Sequence, residues 1–168
     1  MEELQALKEE LAGLKARVQE LEDHRDLTQL VAQYGPSVDS GSADETASIW
    51  TGDGTFAVVG GELTFTMEGH DQIKGMVTGE GHQSLIHNGC AHVLTVPHVE
   101  IDGDTATGRS YALNIRWDPD ADRFWVARVS ANRWNWERTA AGWKVVQRIN
   151  SNLDGADASR ALLAPQSL

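Results

Sequence analysis

The chain predicts an α+β fold in which a curved antiparallel sheet wraps around helices and encloses a pocket. Three observations predict it. Apolar residues recur at helical spacing through the opening segments, from Leu4 to about Trp50. From about Ile86 onward they fall in long β-rich runs, near residues 89–101, 105–117, 123–137 and 143–150. The connections between those runs, Asp102-Gly103-Asp104, Asp118-Pro119-Asp120 and Ala140-Ala141-Gly142, all carry turn chemistry. Strands of this length must bend or bulge, and a bent sheet can close over helices that come first in the chain.

The chain has 168 residues and 40% apolar content, enough for the core of one domain with an appendage. The appendage is residues 1–24. Leu4, Leu7, Leu11, Leu14, Val18 and Leu21 alternate at spacings of three and four, the a and d positions of a coiled coil. In that register Glu3, Glu10 and Arg17 at g face Lys8, Lys15 and Glu22 at e, so each g to e′ pair joins opposite charges. A parallel homo-oligomer is expected, although a helix packed on its own domain fits the same amphipathic pattern.

Residues 25–156 form the domain proper. Leu27, Leu30, Val31 and Tyr34 make one helical face, which Gly35-Pro36 is expected to kink or end. Ser42 and Glu45 read as a capping box opening a second helix through Ala47, Ile49 and Trp50 to the turn Gly52-Asp53-Gly54. Phe56 to Val59 and Leu63 to Met67 read as a hairpin turning at Gly60-Gly61, and a short helix follows around Ile73, Met76 and Val77. Residues 157–168 read as a mobile tail or a subunit-crossing arm.

Charge narrows the partners. With 14 Lys and Arg against 25 Asp and Glu, the net charge of −11 repels phosphate backbones and anionic lipid, so neither nucleic acid nor a membrane is an expected partner. No stretch is apolar enough to span a bilayer and the start Met1-Glu2-Glu3 lacks a signal-peptide pattern, which predicts a cytoplasmic protein. Cys90 is the only cysteine, read as a small buried apolar residue rather than a nucleophile.

Chemistry is suggested by Asp39 and His87. A carboxylate that accepts the Nδ1 proton of an imidazole fixes its tautomer and leaves Nε2 free as a general base. His92 and His98 share a strand face, but Pro97 interrupts it and no carboxylate stands at a metal-ligand interval, so no metal is expected. His70 and His82 read as loop residues. No glycine-rich phosphate loop is present, and no cofactor is expected. Six tryptophans against three Phe and two Tyr suit core packing, a subunit interface or the lining of an apolar pocket. Trp134 and Trp136 share one face of their strand.

The run Tyr34-Gly35-Pro36-Ser37-Val38-Asp39-Ser40-Gly41, the helix end Ala47-Ser48-Ile49-Trp50, the strand Ile101-Asp102-Gly103-Asp104-Thr105-Ala106 and the final Gly142-Trp143-Lys144-Val145-Val146-Gln147-Arg148 resemble the SnoaL-like branch of the nuclear transport factor 2-like superfamily. The resemblance covers roughly residues 24–152. It implies a cone-shaped α+β barrel around a mostly apolar pocket, and members such as hexachlorocyclohexane dehydrochlorinase, bile acid 7α-dehydratase and scytalone dehydratase, which are cofactor-free lyases and commonly trimers. Carried onto this chain, it implies a dyad of Asp39 and His87, a cationic pocket residue at Arg148 and a catalytic tyrosine at Tyr34. Trp50, Asn114 and Asn132 are candidate substrate-binding residues. The function implied is a cofactor-free dehydratase or dehydrohalogenase acting on a hydrophobic ring substrate. A double-bond isomerase with the same dyad and a non-catalytic binding or oligomerisation domain are the alternatives. Each residue also has a structural reading: Asp39 as a loop carboxylate or cap, Arg148 as the partner of a buried acid, Tyr34 as core.

Overall fold

The structure, a computed structural model, describes residues 1–60 and 64–165. It opens with one continuous helix, α1 (Glu2–Asp39), rather than two helices meeting at Gly35-Pro36. Pro36 removes one helical N–H, yet the helix runs on because both sides of the proline are anchored: Leu27, Val31, Tyr34 and Val38 are all buried in the core. The seam residues Leu4 to Leu21 are exposed on the single chain.

A short helix α2 (Ala43–Ser48) follows, then strand β1 (Trp50–Val59). Two expectations change here. Ser42 caps α2 without a side-chain bond to the helix, its hydroxyl meeting that of Ser40 at 2.8 Å instead. Trp50 and Gly52-Asp53-Gly54 belong to the strand, where a register shift between Trp50 and Thr55 absorbs the glycines. Strand β2 (Phe65–Glu68) pairs antiparallel with β1, as the hairpin pattern predicts. Gly61 and Leu63 lie outside the described residues. Two helices come next, α3 (Gly69–Thr78) and α4 (Glu80–His87). They hold His70 and His82, which are helical and not loop residues.

The β-rich half comprises β3 (Cys90–Leu94), β4 (His98–Asp102), β5 (Thr105–Asp118), β6 (Arg123–Thr139) and β7 (Gly142–Asn152). Pro97 splits the expected first run into β3 and β4, both of which pair with β5. The sheet order is β2-β1-β7-β6-β5-β3, curved and unclosed, with β4 also on β5. Every pairing is antiparallel except β1 with β7, which run parallel. Register shifts at Asn114/Ile115 in β5 and Asn135/Trp136 in β6 supply the bends that such long strands require.

Helices and sheet meet in one apolar core. Trp50, Trp134 and Trp136 are fully buried, and the last two stack with centroids 5.9 Å apart. Gly108 makes room for them, since a side chain there would run into the Trp136 ring. Asp23 latches α1 to the β6–β7 hairpin: it accepts from Arg138 Nη1 and Nη2 at 2.6 and 2.7 Å and from Trp143 Nε1 at 2.9 Å. Residues 157–165 of the expected tail are described, and 166–168 lie outside the described residues. Helix α5 (Asp157–Ala161) docks on the sheet, with Ser159 Oγ 2.8 Å from Ser151 Oγ and Arg133 Nη2 donating to the carbonyl of Ala164 at 2.5 Å. Among the described residues no helix is long and apolar enough to cross a membrane.

Candidate active site

Between the concave face of the sheet and α1, α3 and α4 lies a cavity of about 540 Å³, within the range of small-molecule sites. Its walls are mainly apolar, including Phe56, Val58, Leu85 and Leu94. The polar groups converge on two places, a histidine–carboxylate pair at the end of α1 and a buried arginine on β7.

The pair is Asp39 with His92, not His87. Asp39 Oδ1 lies 2.6 Å from His92 Nδ1, and Asp39 Oδ2 accepts the His92 backbone N–H at 2.7 Å. The Cys90 thiol points at the same carboxylate, 3.6 Å away. His87 ends α4 exposed to solvent, because residues that could have led it straight to Asp39 are wound into that helix. Gly89, with φ of +86°, then turns the chain into β3, and alternation brings Cys90, His92 and Leu94 together. Close approach of α1 makes the contact possible, since a Cβ on Gly35 would stand 2.3 Å from the His92 carbonyl oxygen. The glycine expected to bend the helix instead seats it on β3.

The donors around His92 run in one direction. Arg116 Nε donates to Asn114 Oδ1, which leaves Asn114 Nδ2 to donate to His92 Nε2 at 2.9 Å. His92 Nε2 is therefore the acceptor, and Nδ1–H is the donor to Asp39. Burial raises the Asp39 carboxyl, but hydrogen bonds from the His92 ring and backbone outweigh it and leave Asp39 below the usual carboxylate range. Cys90 goes the other way: burial, then the Asp39 charge, pushes its thiol up to about 11. The buried apolar reading of Cys90 gives way to a half-buried thiol on the pair. Asp39, Cys90 and His92 are also close enough together to hold a metal ion, a grouping the spacing argument passed over.

Arg148 is the second pole. Its guanidinium is buried and sits 4.0 Å from the Tyr34 ring centroid, 4.5 Å from Phe56 and 4.6 Å from Trp134. Nε donates to Asn132 Oδ1 at 2.9 Å, and Asn150 Nδ2 donates to the same oxygen at 3.1 Å. Among the described residues, Arg148 Nη1, Asn132 Nδ2 and Asn150 Oδ1 have no partner although all are buried. Burial lowers the Arg148 pKa from its ordinary value, Tyr34 opposing the shift and Arg128 adding to it.

Of the predicted site residues, Tyr34, Asn114 and Arg148 line the cavity. Asn132 lies behind Arg148 and orients it. Trp50 does not line the cavity; it is core, donating to the Thr55 carbonyl at 3.2 Å and packing edge-on against Tyr34. Sequence reasoning missed His92, Arg116, Arg128 and Asn150. The signal available was strand parity, which puts His92 opposite Asn114 and Asn150 opposite Asn132.

Comparison with known proteins agrees with this architecture. A search of curated protein sequences found no match. Among solved structures, an NTF2-like protein with a cystatin-like fold from Novosphingobium aromaticivorans is 42% identical, with a TM-score of 0.87 over 92% of this chain and 97% of that one. A protein of unknown function from Mycobacterium tuberculosis shares the fold at 19% identity and a TM-score of 0.68, over 89% and 88% of the two chains. An NTF2-like superfamily protein from Salmonella enterica does so at 13% and 0.60, over 79% and 96%. The SnoaL-like domain family matches residues 19–149, and the chain belongs to that family, within the NTF2-like superfamily.

Proposed function

We propose that the cavity catalyses a cofactor-free, base-initiated elimination on a hydrophobic ring substrate, with His92 as the base. The observation that carries the reading is the Asp39–His92 contact of 2.6 Å, with His92 Nε2 directed at the cavity wall. Nε2 would take a proton beside a carbonyl or a leaving group. Asp39 would hold the tautomer and stabilise the imidazolium. Arg148, whose Nη1 has no partner among the described residues, and Tyr34 would stabilise the departing hydroxide or halide, or an enolate oxygen. Asn114 must swing from Nε2 before substrate can be deprotonated, and substrate binding supplies the displacement.

Isomerisation uses the same groups and differs only in where the proton returns, so product analysis separates the two. The test is to incubate a panel of β-hydroxy and β-halo cycloalkanones with the protein in D₂O and follow exchange and elimination by NMR. Turnover should fall by about 10²- to 10⁴-fold in His92→Gln and leave His87→Gln unaffected. Equal activity in His92→Gln and the parent overturns the reading and leaves a binding domain.

A homo-oligomer, a trimer by family resemblance, is part of the proposal. It is supported by Leu4, Leu7, Leu11, Leu14, Val18 and Leu21, each about half exposed or more on the single chain, and by the exposed apolar residues Tyr111, Phe124, Trp125 and Val129 on β5 and β6.

A further inference from the structure

The cavity's charge does not match the protein's. The chain carries −11, yet the lining holds Arg116, Arg128 and Arg148 and, among the described residues, not one Asp or Glu. Elsewhere several arginines find acids: Arg25 meets Asp26, Arg109 approaches Glu100, Arg138 meets Asp23 and Asp104, and Arg160 meets Asp157. Among the described residues none of the three cavity arginines forms an ion pair.

Like charges held together out of water are costly, and the cost is visible here. Arg128 is half-buried in the same cavity lining as Arg116 and Arg148, with no hydrogen-bond partner among the described residues, and burial holds its pKa below the ordinary value. Arg148 is buried, and its Nη1 reaches no acceptor among the described residues. One departing halide or hydroxide would occupy one guanidinium. Three around a single apolar cavity match a charge that the ligand carries throughout.

We propose that the cavity binds an apolar ring compound through a carboxylate on that compound, with Arg128, which lines the cavity together with Arg116 and Arg148, as the principal contact. The carboxylate supplies the acceptors that the arginines lack, and the ring lies on Phe56, Val58 and Leu94. The proposal takes the cavity to be the substrate site, as above, but does not require His92 to be a base.

Calorimetric titration of the full-length protein with 2-naphthoate and with its neutral isostere 2-naphthamide tests it. Naphthoate should bind at least about tenfold more tightly, the size of one charge-assisted hydrogen bond, and more weakly as salt rises. Arg128→Gln should bring the two ligands to within about twofold, while Arg128→Lys keeps part of the preference. If Arg128→Gln does not fold, the preference of the parent protein and its salt dependence decide. Equal binding of the two ligands, or saturable binding of neither, overturns the proposal. Asp39→Asn should keep the naphthoate preference while losing proton exchange on the cycloalkanones; a parent protein that shows the preference but no exchange sinks the base reading alone.

Discussion

Gly35 of α1 is pressed against the backbone carbonyl of His92 in β3, where a Cβ would stand 2.3 Å from the oxygen. One helical turn on, Asp39 takes both the ring and the backbone N–H of the same histidine. Gly35→Ala must therefore push helix and strand apart. It should destabilise the protein by about 1–3 kcal/mol in spite of the better helix propensity of alanine. It should also lengthen the Asp39–His92 bond, seen as loss of the downfield Nδ1–H proton resonance. An unchanged melting temperature with an unchanged resonance would show that the contact imposes nothing.

Cys90 should be a sluggish thiol. With its pKa pushed up to about 11, it stays protonated near neutrality, so alkylation by iodoacetamide should be slower than for free cysteine and rise about tenfold per pH unit toward that value. Asp39→Asn removes one cause of the shift and should raise the rate several-fold at about pH 8. Rates measured on both proteins across pH check this, and a faster thiol in the parent contradicts it.

Arg148 sits in the core without a counter-ion among the described residues, which sets stability against function. Arg148→Met should fold and gain about 1 kcal/mol in urea denaturation, since a buried cation is exchanged for an apolar side chain of similar length. The same variant should lose turnover and naphthoate binding. A loss of stability well beyond about 1 kcal/mol would mean that the ring contacts of Arg148 outweigh its desolvation.

Asp23 ties stability to acid. Hydrogen bonds from Arg138 hold its carboxyl well below the ordinary range, so the folded state keeps Asp23 ionised where the unfolded chain would protonate it. A depressed carboxylate contributes above its unfolded pKa and loses that contribution as pH falls. Asp23→Asn should therefore cost about 2–3 kcal/mol at neutral pH, with the gap to the parent shrinking below about pH 4. Paired urea titrations at the two pH values test it; a gap that widens in acid would reverse the argument.

The seam of α1 predicts an assembly. Leu7→Asp with Leu14→Asp places charges at successive d positions and should lower the molar mass seen by light scattering, with the far-UV spectrum little changed. A parent protein that already scatters as a monomer would remove the coiled coil.

What the sequence made legible follows from what short-range physics fixes. Helix, hairpin and meander are written in period and turn chemistry, so the layout of the sheet could be read from Ile86 onward. Asp39, Tyr34 and Arg148 could be placed because each lies in a segment that resembles the family. His92 could not, because its partnership depends on how many residues α4 consumes before Gly89, and counting along the chain from Asp39 stops at His87. Pro36 misled for a related reason: a local helix breaker is overruled when Tyr34 and Val38 on either side are buried. Arg116 and Arg128 are invisible to pattern, since they come to one cavity only once β5 and β6 pair.

The parallel pairing of β1 with β7 joins Trp50 to Val145, and the latch joins Asp23 to Trp143 across 120 residues of chain. During synthesis β1 can pair with β2 on one edge, but its other edge has nothing to pair against until the last strand arrives. The chain must hold an exposed tryptophan and an unmatched strand edge through most of its translation. Closure of the sheet therefore waits on β7, and truncation before it should yield an aggregating species rather than a smaller folded one.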